Sequence, residues 1–264
     1  MVVFHGSAPI WPKKFWPNSL KGATSPGMTE KTKNEFGLEA ERRAFFGRRS
    51  SHKLYSTQQK LVEELLPHIE IDLEKGQPDL NRLFGDRVQA PLFLEIGYGG
   101  GEHLARHART HPENNYIGCE PFMGGVGKML SYIDRQALEN VRLYREDALH
   151  LLRALPANAV SGAYLLYPDP WPKKKHHKRR FVNPVTLGQL ARILKPGAEF
   201  RVATDIEDYA TWVLAHIVRS DEFSWHPKAA SEWRTPWADW EPTRYEQKAK
   251  REGRASFYFS FYRK

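Results

Sequence analysis

Residues 91–101 read Pro91-Leu-Phe-Leu-Glu-Ile96 followed by Gly97-Tyr-Gly-Gly-Gly101. The first six residues form a short apolar run that is typical of a buried strand in a parallel sheet. Glycines 97, 99 and 101 lack a Cβ and tolerate positive φ, so the backbone of this loop can approach a ligand closely. With a helix predicted over 102–110, the stretch indicates a strand–loop–helix corner of the nucleotide-binding type. Taken alone, the glycine pattern is also compatible with a structural turn.

The rest of the chain alternates between short apolar runs and longer segments of helical periodicity, as parallel βαβ units do. We expect an α/β protein with a Rossmann-like fold, in which a central, mostly parallel sheet carries helices on both faces. Lys195-Pro196-Gly197 predicts a helix stop and a turn, because proline cannot extend the helix and glycine accepts left-handed angles. The predicted strands are 116–119, 141–144, 160–166, 199–203 and 255–262, and the further predicted helices are 54–69, 123–137, 148–154, 184–194 and 206–219.

Composition limits the class of protein. The chain has 264 residues, of which 41% are hydrophobic, and this is enough for one substantial core. No apolar run approaches the roughly 18 residues that a membrane-spanning helix requires. The single cysteine, Cys119, cannot form an internal disulfide, which fits a reducing compartment, and we expect a cytoplasmic protein.

Residues 1–33 are expected to form a flexible tail, followed by one domain over 34–264 that begins with a basic, helical extension. The tail contains prolines 9, 12, 17 and 26 and has no acidic residue before Glu30, so it should not be assigned packed structure. It has no apolar segment of the kind found in secretory signals. Two origins remain: an extension upstream of a start at Met28, or a transit peptide, which the absence of arginine before Met28 disfavours.

Carboxylates stand at the ends of three of the predicted strands: Glu95, Glu120 and Asp147. Open α/β sheets bind ligands at the carboxyl ends of their strands, and an acid after the second strand typically receives ribose hydroxyls. We therefore assign Glu120 to a ribose and Asp147 to the adenine side. Glu102 stands where a dinucleotide fingerprint has a third glycine, and its charge disfavours a pyrophosphate. The acidic set favours S-adenosylmethionine, a sulfonium cation without phosphate, over NAD, although each carboxylate alone is also compatible with a helix N-cap.

A proline-rich and strongly basic segment, Pro168-Asp-Pro-Trp-Pro-Lys-Lys-Lys-His-His-Lys-Arg-Arg180, follows the fourth predicted strand and carries six of the chain's 40 Lys and Arg residues. Asp169 is the candidate catalytic residue, because its flanking prolines restrict the backbone at the ligand-binding edge of the sheet. Trp171 offers a flat ring on which a flipped base can stack, or it fills the core. The cations predict contact with a phosphate backbone, although a charge run alone is also typical of a solvated loop.

Two further segments carry candidate binding residues. Asp205 follows the fifth predicted strand, where it serves either a ligand or a helix N-terminus. The segment Thr243-Arg244-Tyr245-Glu246 combines hydrogen-bond donors, an acceptor and an aromatic ring. It either binds a base or forms a surface turn. The tryptophans that precede it, at 225, 233, 237 and 240, are more typical of a packed lid than of a stacking platform.

Taken together, residues 91–248 resemble the bacterial tRNA (guanine-N7)-methyltransferases, a family of S-adenosylmethionine-dependent enzymes with the Rossmann-like class I methyltransferase fold. The resemblance covers about residues 42–264, beginning with Arg42-Arg-Ala-Phe-Phe-Gly-Arg-Arg49. Its most selective parts are Pro168–Lys173, the basic run to Arg180 and the segment Thr243–Glu246. Two departures are visible: Tyr245 stands where the family often has phenylalanine, and Pro121-Phe122 stands where a small aliphatic residue is usual.

The resemblance implies transfer of the sulfonium methyl group to N7 of a guanosine in the variable loop of tRNA, conventionally position 46. It leaves open whether the protein is a monomer or a homodimer, and no metal is expected. The implied donor-binding residues are Glu95, Gly97, Gly99, Gly101, Glu120, Asp147 and Asp169. The implied substrate-binding residues are Lys173, Lys175, His176, His177, Lys178, Arg179, Arg180, Asp205, Thr243, Arg244, Tyr245 and Glu246.

Two alternatives remain open. An exocyclic amino-methyltransferase also has an acidic loop after its fourth strand, but Asp169-Pro170-Trp171 lacks the paired prolines of that loop. A non-catalytic RNA-binding protein would use the cations for affinity alone. A nicotinamide-dependent dehydrogenase is disfavoured by Glu102 and by the lack of an obvious set of hydride-site residues.

Overall fold

The computed structural model describes residues 54–264. The predicted tail and the Arg42–Arg49 segment lie outside the described residues. Within 54–264, seven strands form one sheet in the order β3-β2-β1-β4-β5-β7-β6. The strands are β1 Leu92–Ile96, β2 Asn115–Cys119, β3 Val141–Tyr144, β4 Val160–Leu166, β5 Leu194–Thr204, β6 Phe223–Ser224 and β7 Phe257–Arg263.

Strands β1 to β5 are parallel, and β7 inserts antiparallel between β5 and β6. The strand order reverses between β1 and β4, which are neighbours in the sheet although β2 and β3 lie between them in sequence. At such a switch point the connections leave in opposite directions and open a crevice above the carboxyl ends of the strands. The fold class predicted from the sequence is confirmed, and the crevice is the place where open α/β sheets commonly bind ligands.

Helices cover both faces of the sheet, as the sequence predicts. Side chains of the sixth to eighth helices pack with Leu94 and Val202 in one buried cluster, whereas those of the fourth and fifth helices pack with Leu143 in another. The helices are α1 Ser56–Glu64, α2 Leu66–Ile69, α3 Leu80–Phe84, α4 Glu102–Thr110, α5 Met123–Gln136, α6 Ala148–Ala154, α7 Pro184–Ile193, α8 Glu207–Val218 and α9 Arg244–Arg251. No helix in this part of the chain is both long and apolar enough to cross a membrane.

The predicted elements differ from the structure at several places. The helix predicted over 54–69 is divided into α1 and α2 at Leu65, because Pro67 has no N–H to donate back into the preceding turn. The predicted turn at 195–197 lies inside β5 as a break in register, with Gly197 at φ +77°. The elements α3, α9 and β6 are not among those predicted from the sequence. In α9 the run of charged residues has no apolar periodicity to indicate a helix, although the Thr243 side chain caps its N-terminus.

Candidate active site

A cavity of about 410 Å³ opens at the carboxyl ends of β1, β2 and β4, where the strand order reverses. Its wall combines the glycine loop after β1, the acids after β2 and β3, the Tyr167–Trp171 segment after β4, and the first turn of α9. The volume lies within the range of roughly 300–1,000 Å³ found for small-molecule sites. The structure therefore brings together motifs that lie more than a hundred residues apart in sequence.

The glycine loop supports the cavity in two ways. Gly97 and Gly99 line the cavity with φ of +72° and +57°, values that residues with a Cβ adopt only under strain. Gly101 is outside the wall: it forms the N-terminal cap of α4, and a Cβ there would collide with the sulfur of Met129. Gly101 therefore serves the close packing of α4 against α5 and does not contact the cavity.

Gly125 in α5 was missed by the sequence analysis. A Cβ at this position would collide with the backbone carbonyl oxygen of Gly99, so α5 passes directly beneath the glycine loop. The signal was available in Met123-Gly-Gly-Val-Gly127, because glycine is unfavourable inside a helix and its repetition at a helix start indicates a close backbone approach.

The carboxylate of Glu120 is held by two backbone N–H groups. Gly99 donates to Oε2 at 2.8 Å and Phe122 donates to Oε1 at 2.9 Å. Burial raises the pKa of the Glu120 carboxyl above its usual range, while the hydrogen bonds from Phe122 and Gly99 oppose the shift and nearby Asp169 adds to it. Glu120 thus connects the glycine loop to the end of β2. Each of its oxygens can still accept a further hydrogen bond from a ligand in the cavity.

Asp147 has both of the roles considered from the sequence. Its Oδ1 accepts a hydrogen bond from the Leu149 N–H at 2.9 Å and caps α6, and the residue also lines the cavity. A carboxylate that caps a helix with one oxygen retains a second oxygen for a ligand.

Asp169 lies between two residues with left-handed backbone angles. Tyr167 has φ +50° and Trp171 has φ +43°, and such angles in residues with a Cβ cost free energy and concentrate at functional sites. The carboxylate of Asp169 is reached by solvent from the cavity, whose walls remove enough water to raise its pKa above the usual range. Tyr167 is held in place by a hydrogen bond from its hydroxyl to the Ser256 side chain at 2.9 Å.

Most of the basic run lies on a short 3₁₀ helix, Lys174–Arg179, beside the cavity. The lysines at 173, 174, 175 and 178 are exposed. Arg179 lines the cavity with its guanidinium carbon 4.9 Å from the centre of the Trp171 ring, and the His176 ring lies 5.9 Å from that ring. His177 packs edge-on against Trp212 at 5.3 Å. The cations therefore border the same opening as Asp169.

Arg180 differs from the other residues of the basic run, although the resemblance implies that it contacts RNA as they do. Only 1% of its surface is exposed, and its guanidinium pairs with Asp208 at the start of α8. A buried and paired guanidinium is not available to a phosphate backbone, so the expectation that Arg180 contacts RNA is corrected.

The first turn of α9 covers the glycine loop. The Tyr245 hydroxyl lies 3.1 Å from the place that a Cβ on Gly99 would occupy, and Arg244 lies 3.4 Å from it. The Tyr245 ring is nearly parallel to that of Tyr167, with centroids 6.4 Å apart and an interplanar angle of 20°. Both Arg244 and Tyr245 line the cavity, so this half of the Thr243–Glu246 segment lies where a base-binding role requires it.

Several predicted residues lie outside the cavity wall. Glu95 is buried and hydrogen-bonded to the His103 ring at 2.7 Å. Asp205 pairs with Arg254 at 2.7 Å. Thr243 caps α9, and the fully buried Glu246 accepts from the Trp240 indole at 2.6 Å. Lys173 is exposed but does not line the cavity. The structure thus shows anchoring contacts for Glu95, Asp205, Thr243 and Glu246.

The four C-terminal tryptophans pack on the sheet, as expected from the sequence. Trp225 and Trp233 lie edge-on to each other, and Trp225 contacts Phe259 and Phe261 of β7. Trp237 and Trp240 lie edge-on to Tyr258 of the same strand. These contacts hold the segment that leads into α9.

The cavity fits S-adenosylmethionine. Its glycine loop leaves room for a ligand beside the backbone, and its three carboxylates, Glu120, Asp147 and Asp169, suit hydroxyl groups and a positively charged sulfur. Phe122, Leu165 and other apolar side chains supply the remaining wall. Among residues 54–264, no group of three or more His, Cys, Asp or Glu side chains is arranged to hold a metal ion.

A family model described as "Putative methyltransferase" matches residues 89–259, which include the glycine loop, the acids and the segment after β4. Together with the sheet order and the acidic cavity, this match defines the class of protein: an S-adenosylmethionine-dependent methyltransferase.

Two relatives identify the family more specifically. The chain is 50% identical over 222 residues to the tRNA (guanine-N(7)-)-methyltransferase of Agrobacterium fabrum (strain C58), an alignment that covers 84% of this chain and 95% of the relative. It is 48% identical over 221 residues to the enzyme of that name from Rhodopseudomonas palustris (strain BisB5), covering 83% and 86%. The chain belongs to the tRNA (guanine-N(7)-)-methyltransferase family, and the identification made from the sequence motifs is confirmed.

Proposed function

We propose that this protein transfers the methyl group of S-adenosylmethionine to N7 of a guanosine in tRNA, giving 7-methylguanosine, and that the target lies in the variable loop at conventional position 46. The main observation behind the proposal is that Asp169, Trp171 and Arg179 line one cavity, beside which Lys174 and Lys175 stand exposed. A donor pocket and a surface for a polyanion therefore share one opening, as a cytoplasmic tRNA-modifying enzyme requires.

For the donor, we assign the ribose hydroxyls to Glu120 and the adenine side to Asp147. Bound S-adenosylmethionine supplies a methyl group on a positively charged sulfur, activated for displacement. The glycine loop positions the donor, because Gly99 is fixed to Glu120 through its own N–H and is supported from below by Gly125. Such a preformed wall reduces the ordering that binding would otherwise require.

The chemical role of the protein is mainly alignment. Guanine N7 has a free lone pair and no proton, so no general base is needed, and holding the nucleophile in line with the methyl group provides much of the acceleration. We propose that Asp169 accepts hydrogen bonds from the N–H edge of guanine and stabilises the positive charge that develops on the purine. Its location on the cavity wall supports this role, because the surrounding side chains partly withdraw the carboxylate from water, and electrostatic interactions are stronger there than in bulk solvent.

For the substrate, we assign phosphate contacts to the exposed lysines of the basic run and to the half-buried Arg179, and base contacts to Trp171, Arg244 and Tyr245. The aromatic rings at 171 and 245 both line the cavity, where a base that leaves its stack can find a new stacking partner. We propose that Asp205, Thr243 and Glu246 act indirectly, by holding α9 in place. Thr243 caps this helix, Glu246 accepts a hydrogen bond from Trp240, and Asp205 pairs with Arg254 just after the helix.

One assay tests the proposal directly. The purified protein is incubated with methyl-labelled S-adenosylmethionine and unmodified total tRNA, and the nucleosides are separated by chromatography. Label in 7-methylguanosine, a fixed cation, is the expected result. Label in an exocyclic N-methyl nucleoside would establish the amino-methyltransferase alternative. RNA binding without donor binding or donor-dependent thermal protection would establish the non-catalytic alternative.

A further inference from the structure

We propose that Arg180 is a positioning residue that locks the loop carrying Asp169 against α8. The inference rests on the proposed function, because it concerns the geometry in which Asp169 meets the base. It assigns the last cation of the basic run a different role from that of the exposed cations before it.

The first part of the lock is a hydrogen bond to the loop itself. The Nε of Arg180 donates to the carbonyl oxygen of Pro170 at 2.8 Å, and Pro170 directly follows Asp169 in the chain. The loop has left-handed residues at both ends, Tyr167 and Trp171, and such a backbone persists only where its surroundings hold it. A charged donor fixed on the backbone next to Asp169 provides that support.

The second part is the attachment of Arg180 to α8. The NH2 group pairs with Asp208, and the guanidinium carbon lies 5.0 Å from the Trp212 ring and 5.5 Å from the Tyr209 ring. Trp212 is itself held by a hydrogen bond from its indole to the Val182 carbonyl at 2.7 Å. Because a buried charge requires a partner, the pair with Asp208 and the two rings keep this guanidinium in a single position.

These two attachments use different nitrogens of one rigid, planar group. The Nε faces the loop and the NH2 faces the helix, so the distance between Pro170 and α8 is set by the guanidinium. The NH1 is buried, makes no hydrogen bond within residues 54–264 and belongs to a side chain that lines the cavity. The lock thus forms part of the wall in which Asp169 stands.

A lysine at this position distinguishes a lock from a phosphate contact. Arg180→Lys keeps the positive charge but has one nitrogen in place of a rigid fork, so it cannot reach Pro170 and Asp208 together. A phosphate contact keeps its charge, and therefore its salt dependence, after this change. A positioning residue loses its function, because misplacing a reacting group by about 1 Å can cost on the order of 10²-fold in rate.

The experiment compares Arg180→Lys, Arg180→Gln and Asp208→Asn with the surface variant Lys175→Ala. Methylation kinetics at saturating donor give kcat and KM for tRNA, and tRNA affinity is measured over a series of salt concentrations. We expect both Arg180 variants to lower kcat by about 10²-fold with an unchanged salt slope. Lys175→Ala is expected to raise KM for tRNA and to reduce the salt slope by about one.

Two further measurements keep the test decisive. Asp208 is 63% exposed, so Asp208→Asn should fold, and it is expected to lower kcat by about tenfold by loosening one end of the lock. Limited trypsin digestion without donor or tRNA reports on the loop directly, and cleavage after Lys173–Arg179 should be faster in the Arg180 and Asp208 variants. A wild-type protein that does not methylate tRNA would refute the proposed function, whereas the digestion would still test the lock.

Three results would overturn the lock. The first is wild-type kcat in Arg180→Lys. The second is a salt slope reduced in Arg180→Gln as in Lys175→Ala, which would make Arg180 a phosphate contact. The third is an unchanged digestion rate in Asp208→Asn together with wild-type kcat.

Discussion

The acidic wall of the cavity and the basic 3₁₀ helix beside it are built in different ways. Glu120 and Asp147 are fixed by backbone N–H groups at strand and helix ends, whereas Lys174 and Lys175 project from the surface. The difference follows from the ligands: a small donor needs a preformed pocket, while a phosphate backbone is bound by charges that adjust to it. Substitutions in the wall should therefore change catalysis and donor affinity, and substitutions on the 3₁₀ helix should change tRNA affinity and its salt dependence.

The largest effect is expected at Asp169. Asp169→Asn keeps the shape of the loop but removes the charge that opposes the developing purine cation. We expect single-turnover methylation to slow by about 10²- to 10³-fold, the cost of losing one preorganised electrostatic contact, with tRNA affinity little changed. Rapid-quench assays with labelled donor measure the rate, and filter binding measures affinity. A single-turnover rate equal to wild type would remove Asp169 from the catalytic role.

The second effect concerns the floor of the donor pocket. Gly125→Ala drives a methyl group against the Gly99 carbonyl, so the glycine loop must move and donor affinity should fall by tenfold or more, on the order of 1.4 kcal/mol. The matched control is Gly188→Ala in α7, where a Cβ meets no atom within 4 Å; it should raise the free energy of unfolding by about 0.5–1 kcal/mol. Calorimetric titration measures the affinity for S-adenosylmethionine, and chemical denaturation measures the free energy of unfolding. A donor affinity of Gly125→Ala equal to that of the wild type would contradict the close approach of α5 to the Gly99 carbonyl.

A third test addresses the basic surface. Replacing Lys174 and Lys175 together by alanine removes two exposed charges and should reduce the slope of log affinity against log salt by about two. The KM for tRNA at physiological salt should rise several-fold, and donor affinity should stay the same because neither residue lines the cavity. A slope equal to wild type would show that these lysines do not meet phosphates.

The smallest effect is one of stability. Burial raises the pKa of Asp169 in the folded protein, so ionisation of this carboxyl disfavours folding, and stability is lost as pH rises through the raised pKa. At neutral pH, Asp169→Asn should therefore unfold with a slightly higher free energy, by up to about 0.5 kcal/mol. The advantage should diminish as pH falls through the raised pKa and vanish below the unfolded-state pKa of about 3.9, where the wild-type carboxyl is protonated in both states. Urea titrations of both proteins at several pH values measure this difference in the free energy of unfolding. A difference that grows as pH falls would contradict the raised pKa of Asp169.

The sequence predicted the elements whose periodicity is strong. Strands β1 to β5 and the helices between them follow from apolar runs, and the sites of Glu120, Asp147 and Asp169 follow from their places after strands. The pairing of individual side chains was not predictable, because no pattern in the sequence indicates that Glu95 meets His103, that Asp205 meets Arg254, or that the buried Glu246 accepts a hydrogen bond from Trp240. The burial of Arg180 was not predictable for the same reason, because it ends a run of basic residues whose lysines are exposed.

Burial also changes the chemistry of groups that look functional in the sequence. His107 lies beside His103 on the buried face of α4, and burial together with that neighbour lowers its pKa to about 3. It is therefore neutral at physiological pH and acts as a packing residue. Only the fold distinguishes such a histidine from a titrating one.

The contact between Tyr245 and Gly99 joins the last helix of the chain to its first ligand-binding loop. Under the proposed function, α9 borders both the donor loop and the place assigned to the base. We therefore expect substitutions at its first turn to change the order in which the two ligands bind.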